Sequence, residues 1–287
     1  FGESVVLRVL DRAAIKLDLD VLGFPDDMLT RIKEIARTPN GIFIVTGPTG
    51  CGKTTTLYST LHEVNSIGDK ILSVEDPVEF DIDGIMQVPV REAIGMTFAA
   101  ALRAFLRQDP DVVMVGEIRD LETADIAVKA AQTGHLVLST VHTNSAAETL
   151  TRLANMGVSS FNIASAVSLI IAQRLARKLC HHCKEPIEIP RKALQKEGLN
   201  NEEINQATLY KAVGCKHCTQ GYKGRIGIYE VVPITESMRQ LIMRDANSLE
   251  IDQQARREGY PSLHRSGLLK VMQGITSLEE INRVSKE

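Results

Sequence analysis

The sequence predicts an α/β protein. It reads as a parallel sheet covered by helices, built around a phosphate-binding loop, with a small metal-binding subdomain and a helical C-terminal region. Three observations lead there. Short apolar, β-branched runs alternate with helical patterns up to about residue 178. A glycine-rich stretch, Gly47 to Thr54, lies between one such run and a helical pattern. Two close cysteine pairs fall late in the chain, in a polar segment.

Gly41 to Thr46, Ile71 to Glu75, Val112 to Val115 and Leu136 to Thr140 are short and lack polar alternation. Such runs suit strands buried on both faces. Thr54 to Val64, Thr97 to Arg107, Leu121 to Thr133 and Ser145 to Met156 read as the covering helices. Asn162 to Leu175 reads as one more helix, closing near the basic residues Arg174, Arg177 and Lys178. At Leu179 the character changes. The stretch from Cys180 to Gly224 holds the cysteine pairs and a polar Asn200-Asn201-Glu202-Glu203 run, and looks too polar to build much core. A short strand, Ile228 to Val232, then leads into helical patterns through Lys286. The expected division is residues 1–10 as the end of a preceding domain, 11–178 as the phosphate-loop domain, 179–226 as the metal-binding subdomain and 227–287 as a helical region.

Hydrophobic residues make up 44% and charged residues 24% of the 287, ordinary values for a globular domain. The net charge is −3, Trp is absent and aromatics are 4%, so neither a basic nor a base-stacking surface is expected and nucleic acid is not an expected partner. No apolar run approaches the roughly 20 residues that span a bilayer, and no signal peptide is visible. The chain opens at Phe1 without Met, which suggests a missing upstream part. Four of five cysteines sit in close pairs, a pattern that suits a reducing compartment and a metal site.

Gly47-Pro48-Thr49-Gly50-Cys51-Gly52-Lys53-Thr54 matches G-x-x-x-x-G-K-[ST], followed by Thr55 on the next helix. Glycines let successive N–H groups point inward around an anion, and the helix N-terminus favours phosphate. The expected ligand is ATP, with Lys53 on the β- and γ-phosphates and the Thr54 hydroxyl on Mg²⁺. Cys51 reads as a small filler, not a nucleophile. Glu117 ends the run Val112 to Gly116 and is the expected second group for Mg²⁺ or for the attacking water. Glu75-Asp76-Pro77-Val78-Glu79 follows another strand, and its three carboxylates should line the crevice at the strand ends, with Glu79 placing water or Mg²⁺. His142 leaves the strand that His135 enters, and could donate to the γ-phosphate; a satisfied core histidine suits His135 nearly as well. Cys180, Cys183, Cys215 and Cys218 form two C-x₂-C knuckles able to give four thiolates to one structural Zn²⁺, with neighbouring histidines as possible substitutes.

Together these stretches resemble the secretion ATPase superfamily of type II secretion and type IV pilus systems. Gly47 to Thr54 looks like its Walker A, Glu75 to Phe80 its Asp box, Asp109 to Asp120 its atypical Walker B, and Thr133 to Asn144 its His box. The cysteine pairs resemble the tetracysteine motif of the assembly and secretion branches. The resemblance implies a RecA-like core in a homohexamer, with ATP sites between domains and an inner-membrane platform protein as partner. It places the chain in the cytoplasm, at the inner membrane's cytoplasmic face. Phe1 to Arg8 looks like the last strand of a preceding domain, with Arg8 resembling an arginine finger; Arg119 would contact phosphate or Glu79. Phe161 to Ser165 and Glu279 to Val284 look more like pilus assembly proteins than type II secretion ATPases. A nucleic-acid motor and a zinc-dependent nucleotide-binding scaffold are the rival readings from other classes.

Overall fold

The computed structural model describes residues 2, 5 and 17–285. The first helix, α1 (Asp26–Ala36), precedes β1 (Gly41–Thr46), and α2 (Lys53–Val64) follows β1 directly after the glycine-rich loop. Then come β2 (Ile71–Glu75), β3 (Ile85–Pro89), α3 (Phe98–Phe105), β4 (Val112–Val115), α4 (Leu121–Gln132), β5 (Leu136–Val141), α5 (Ala146–Asn155), α6 (Ser160–Ala166) and β6 (Val167–Leu179). An excursion from the sheet then holds the two-residue strands β7 (Glu185–Pro186) and β8 (Tyr210–Lys211), with α7 (Arg191–Lys196) and α8 (Asn201–Gln206) between them. The chain returns to the sheet in β9 (Tyr222–Pro233) and ends in α9 (Glu236–Met243), α10 (Ser248–Arg257), α11 (Leu263–Met272) and α12 (Leu278–Ser285).

The main sheet runs β3-β2-β4-β5-β1-β6-β9. Every pair is parallel except the last, β6 with β9. All residues of β1, β2, β4 and β5 are buried. That is why they read as continuous apolar runs: both faces are covered, so neither calls for polar alternation. The order also positions chemistry. β2, β4, β5 and β1 are neighbours and parallel, so the loops after them open side by side along one rim of the sheet, where open α/β sheets bind ligands.

Two elements differ from the sequence reading. Asn162 to Leu175 is not one helix. The helix α6, capped by the Ser159 hydroxyl on the Asn162 N–H, stops at Ala166, and the chain continues as a thirteen-residue strand. An unbroken apolar run cannot distinguish a buried helix from a buried strand, and Val167, Ile170 and Ile171 favour the strand. The strand β3 carries a Pro and is only half-buried, so its pattern is weak; Pro89 is tolerated at its end on the sheet edge.

The segment after Leu179 also builds more core than its polarity suggests. Leu194, Leu199 and Leu209 pack into a second cluster with Leu263, Leu268, Val271 and Ile281 of the C-terminal helices and with Ala172, Ala176 and Ile228 of the sheet. The polar residues face outward, and the core is shared between segments distant in sequence. Gly267 lets α11 and α12 approach closely: a Cβ there would lie 2.7 Å from the Ile281 side chain.

Glu280 on α12, 1% exposed, anchors this assembly to β6. It accepts from the Arg177 N–H and Nη2 (2.9 and 2.7 Å) and from the Arg283 Nε and Nη2 (2.9 and 2.6 Å). Burial pushes its carboxyl up, but the hydrogen bonds from Arg283 and Arg177 outweigh burial and hold it at about 2 against an ordinary 4.5. A carboxylate lowered on folding stabilises fully above its unfolded value, so this contribution is complete above pH 4.5 and is lost as pH falls toward 2. Glu280→Gln should cost about 2 kcal/mol at neutral pH, less than a fully buried pair because both guanidiniums reach solvent. Denaturant melts should show the difference from wild type shrinking between pH 4.5 and pH 2.

Candidate functional site

The loop between β1 and α2 is built on glycine. Gly47, Gly50 and Gly52 have φ of 146°, 80° and 92°, a region that side chains avoid. A Cβ on Gly47 would come within 2.5 Å of the Gln173 carbonyl and 2.6 Å of the Cys51 sulfur. Gly52 is the N-cap of α2 and offers no side-chain cap, so the first N–H groups of the helix are left for an anion. Lys53 folds back over the loop, donating to the Gly47 and Pro48 carbonyls at 2.8 and 3.1 Å. Burial weakens its ammonium, while the negative charge of Glu117 opposes that. Cys51 is 4% exposed, and burial raises its thiol, as suits a filler.

Glu117 follows β4 on a turn pinned to β5: Thr140 Oγ1 donates to the Gly116 carbonyl at 2.7 Å, and the Ile118 N–H to the Thr140 carbonyl at 2.9 Å. One carboxylate oxygen accepts from Arg119 Nη2 at 2.5 Å, and the other lies 3.6 Å from His142 Nε2. Arg119 thus rests on Glu117 and not on Glu79. Burial, and then the charge of Lys53, push the His142 imidazole down, although Glu117 pulls it up; it is therefore neutral at physiological pH. Lys53, Thr54, Thr55, Glu79, Glu117 and His142 line one cavity of about 630 Å³ at the rim of the sheet.

Glu75 and His135 are both held by structural contacts. Glu75 is turned inward, 3% exposed, accepting from Ser73 Oγ at 2.6 Å, from Gln87 Nε2 at 3.1 Å and from the Tyr58 hydroxyl. It holds the sheet to α2 and also lines the cavity beside Asp76 and Glu79. His135 precedes β5 and lies at the opposite end of that strand from His142; its Nδ1 is 3.0 Å from the Ala130 carbonyl, a structural contact. Arg8 lies outside the described residues.

Two contributors escaped the sequence reading. Gln173, 2% exposed on β6, donates to the Cys51 carbonyl and accepts from Thr56 Oγ1, both at 2.8 Å, so it straps the phosphate loop to the sheet. Its neighbour Arg174 is also buried. Both were hidden when their segment read as the end of a helix. The usable signal was a Gln-Arg pair inside an otherwise apolar, β-branched run.

The four cysteines of the excursion converge. The Sγ atoms of Cys180, Cys183, Cys215 and Cys218 all lie within 4.8 Å of one another. Cys180–Cys215 is 3.9 Å, and Cys183–Cys218 and Cys215–Cys218 are 3.7 Å. Four thiolates around one tetrahedral ion with about 2.3 Å bonds would be spaced by roughly 3.8 Å, so this donor set fits a metal ion. The His182 ring lies tilted against those of His181 and His217 outside the cluster, at ring separations of 3.9 and 4.7 Å, and none of the three replaces a sulfur in it.

A family model described as "Type II/IV secretion system protein" matches residues 1–283. The chain belongs to that family. Within the family it is 58% identical to the type IV pilus assembly ATPase PilB of Pseudomonas aeruginosa, over all of this chain and 51% of that protein. It is 50% identical to the type II secretion system ATPase E of Vibrio cholerae, over all of this chain and 56% of that protein. The chain therefore spans about half the length of the curated relatives it matches. Among solved structures, the pilus retraction motor PilT with bound ADP superposes with a TM-score of 0.70 at 28% identity, covering 94% of this chain and 67% of that one. No helix among the described residues is long and apolar enough to cross a membrane.

Proposed function

We propose that the protein is an ATP-hydrolysing motor subunit powering type IV pilus assembly. The observation that carries this is the single cavity in which the phosphate loop faces Glu117, in a chain 58% identical to PilB. Lys53 and the loop N–H groups bind the phosphates. Thr54 and Glu117 would hold Mg²⁺, which when bound neutralises phosphate charge. Glu117 and Glu79 position and polarise the attacking water. Neutral His142 can hydrogen-bond the terminal phosphate without adding charge, and Arg119 keeps the Glu117 carboxylate aimed. Arg8 remains the proposed cation from a neighbouring domain. The RecA-like core works in a homohexamer at the cytoplasmic face of the inner membrane, and each turnover closes a subunit interface against a platform protein. Type II secretion is the second reading, favoured by the 50% identity to the Vibrio cholerae ATPase.

Purified intact protein should turn over ATP, and capture from detergent-solubilised inner membranes should retrieve a pilus platform protein; retrieval of a type II secretion platform would select the second reading. The four cysteines are proposed to hold one structural Zn²⁺, closed to water by four thiolates. Metal analysis should give about one Zn per chain. Cys180→Ser should lose it and lower the melting temperature, because the knuckles tie β6 to β9 beside the second core. A folded, metal-free wild type would remove the site.

A further inference from the structure

Arg174 is a buried cation without a carboxylate. It is 6% exposed, and among the described residues no acidic group lies within salt-bridge distance of it. Its Nη1 donates to the Gln173 carbonyl at 3.1 Å and its Nη2 to Asn144 Oδ1 at 2.9 Å, while Nε donates to nothing among the described residues. Burying a guanidinium this way is unfavourable unless another anion compensates it. Its position names that anion. A Cβ on Gly47 would lie 3.3 Å from Nη1, so the cation sits directly behind the first residue of the phosphate loop. Burial is the main reason that the Lys53 ammonium is weakened, and the charge of Arg174 adds to it.

The same side chain reaches the other wall of the cavity. Asn144 is two residues beyond His142, and the residue between them, Thr143, is fixed to the end of β1: its N–H donates to Thr46 Oγ1 at 3.0 Å, and Thr46 Oγ1 donates to the Val141 carbonyl at 2.7 Å. Arg174 therefore spans from the start of the phosphate loop to the loop carrying His142.

We propose that Arg174 is a positioning residue of the nucleotide site, with two separable actions. Its charge, from behind the loop, compensates the phosphate chain. Its Nη2 bond to Asn144 holds the His142 loop against the phosphate loop. The proposal rests on the ATP-hydrolysis reading above.

The test measures MgADP affinity with a fluorescent nucleotide, kcat and KM for ATP, and thermal melting, on the intact protein. Arg174→Gln, which removes the charge, should weaken MgADP about tenfold. Arg174→Lys keeps the charge but not the reach to Asn144, so its affinity should stay within about twofold while kcat falls several-fold. Asn144→Ala, at an exposed position, should reproduce that fall in kcat with unchanged melting, and combining it with Arg174→Lys should add nothing further. Wild-type kcat in Asn144→Ala, independent losses in the double variant, or wild-type affinity in a folded Arg174→Gln overturns the proposal. If Arg174→Gln fails to fold, the lysine and alanine variants decide. A wild type that neither binds MgADP nor hydrolyses ATP removes the motor reading and this inference together; an active wild type with unaffected variants removes only this inference.

Discussion

Lys53→Ala should weaken ATP binding by at least about a hundredfold and remove measurable turnover. The loop N–H groups alone can cradle an anion, but they carry only partial charge, whereas the phosphate chain of ATP carries several full ones. Lys53 supplies the full charge inside the loop. Its ammonium rests on the Gly47 and Pro48 carbonyls, so it is already held over the position a phosphate would take. Burial weakens that ammonium, which means that charging it becomes easier when an anion arrives; binding and lysine protonation therefore favour each other. Lys53→Arg keeps the charge but carries a planar fork in place of a compact ammonium, and should recover only part of the affinity. Isothermal titration with MgADP and steady-state turnover check both variants. Full activity in Lys53→Ala would sink the phosphate-loop assignment.

The strands next to this loop were legible because they are buried on both faces. Gly41 to Thr46 and Val112 to Val115 appear in the structure with the bounds that the sequence suggests. The site residues beyond the strand ends were legible for a related reason: loops leaving parallel strands open on one rim, so Lys53, Glu79, Glu117 and His142 meet although widely spaced in sequence. The edge of the sheet was not legible. Val167 to Leu179 is largely apolar, and only its antiparallel partner, a strand more than forty residues downstream, decides that it is extended. With that strand misread, the strap made by Gln173 and the cation Arg174 could not be placed behind the phosphate loop. Glu75 shows the converse limit. It lines the cavity as its position at a strand end suggests, yet the buried Tyr58 hydroxyl also binds it, a contact between segments that no local pattern encodes.

Glu117→Gln should leave ATP binding nearly intact and lower kcat by a factor of about 10² to 10⁴, the range for a group that moves or polarises a proton. The substitution keeps size and one oxygen acceptor, so Arg119 retains a partner and the turn pinned by Thr140 is undisturbed. What disappears is the negative charge. That charge is wanted where a water must be polarised, and it is felt by both neighbours: it strengthens Arg119 as a cation and pulls the His142 imidazole up against burial and Lys53. Removing it should push the His142 pKa further down, which NMR titration of the imidazole reports independently of turnover. Loss of kcat with unchanged KM and a lower His142 pKa would mark an interaction made in the transition state, at the 3.6 Å pair seen here. Wild-type turnover would take Glu117 out of the mechanism. An unshifted imidazole would instead separate His142 from Glu117, leaving the histidine to act on the phosphate alone.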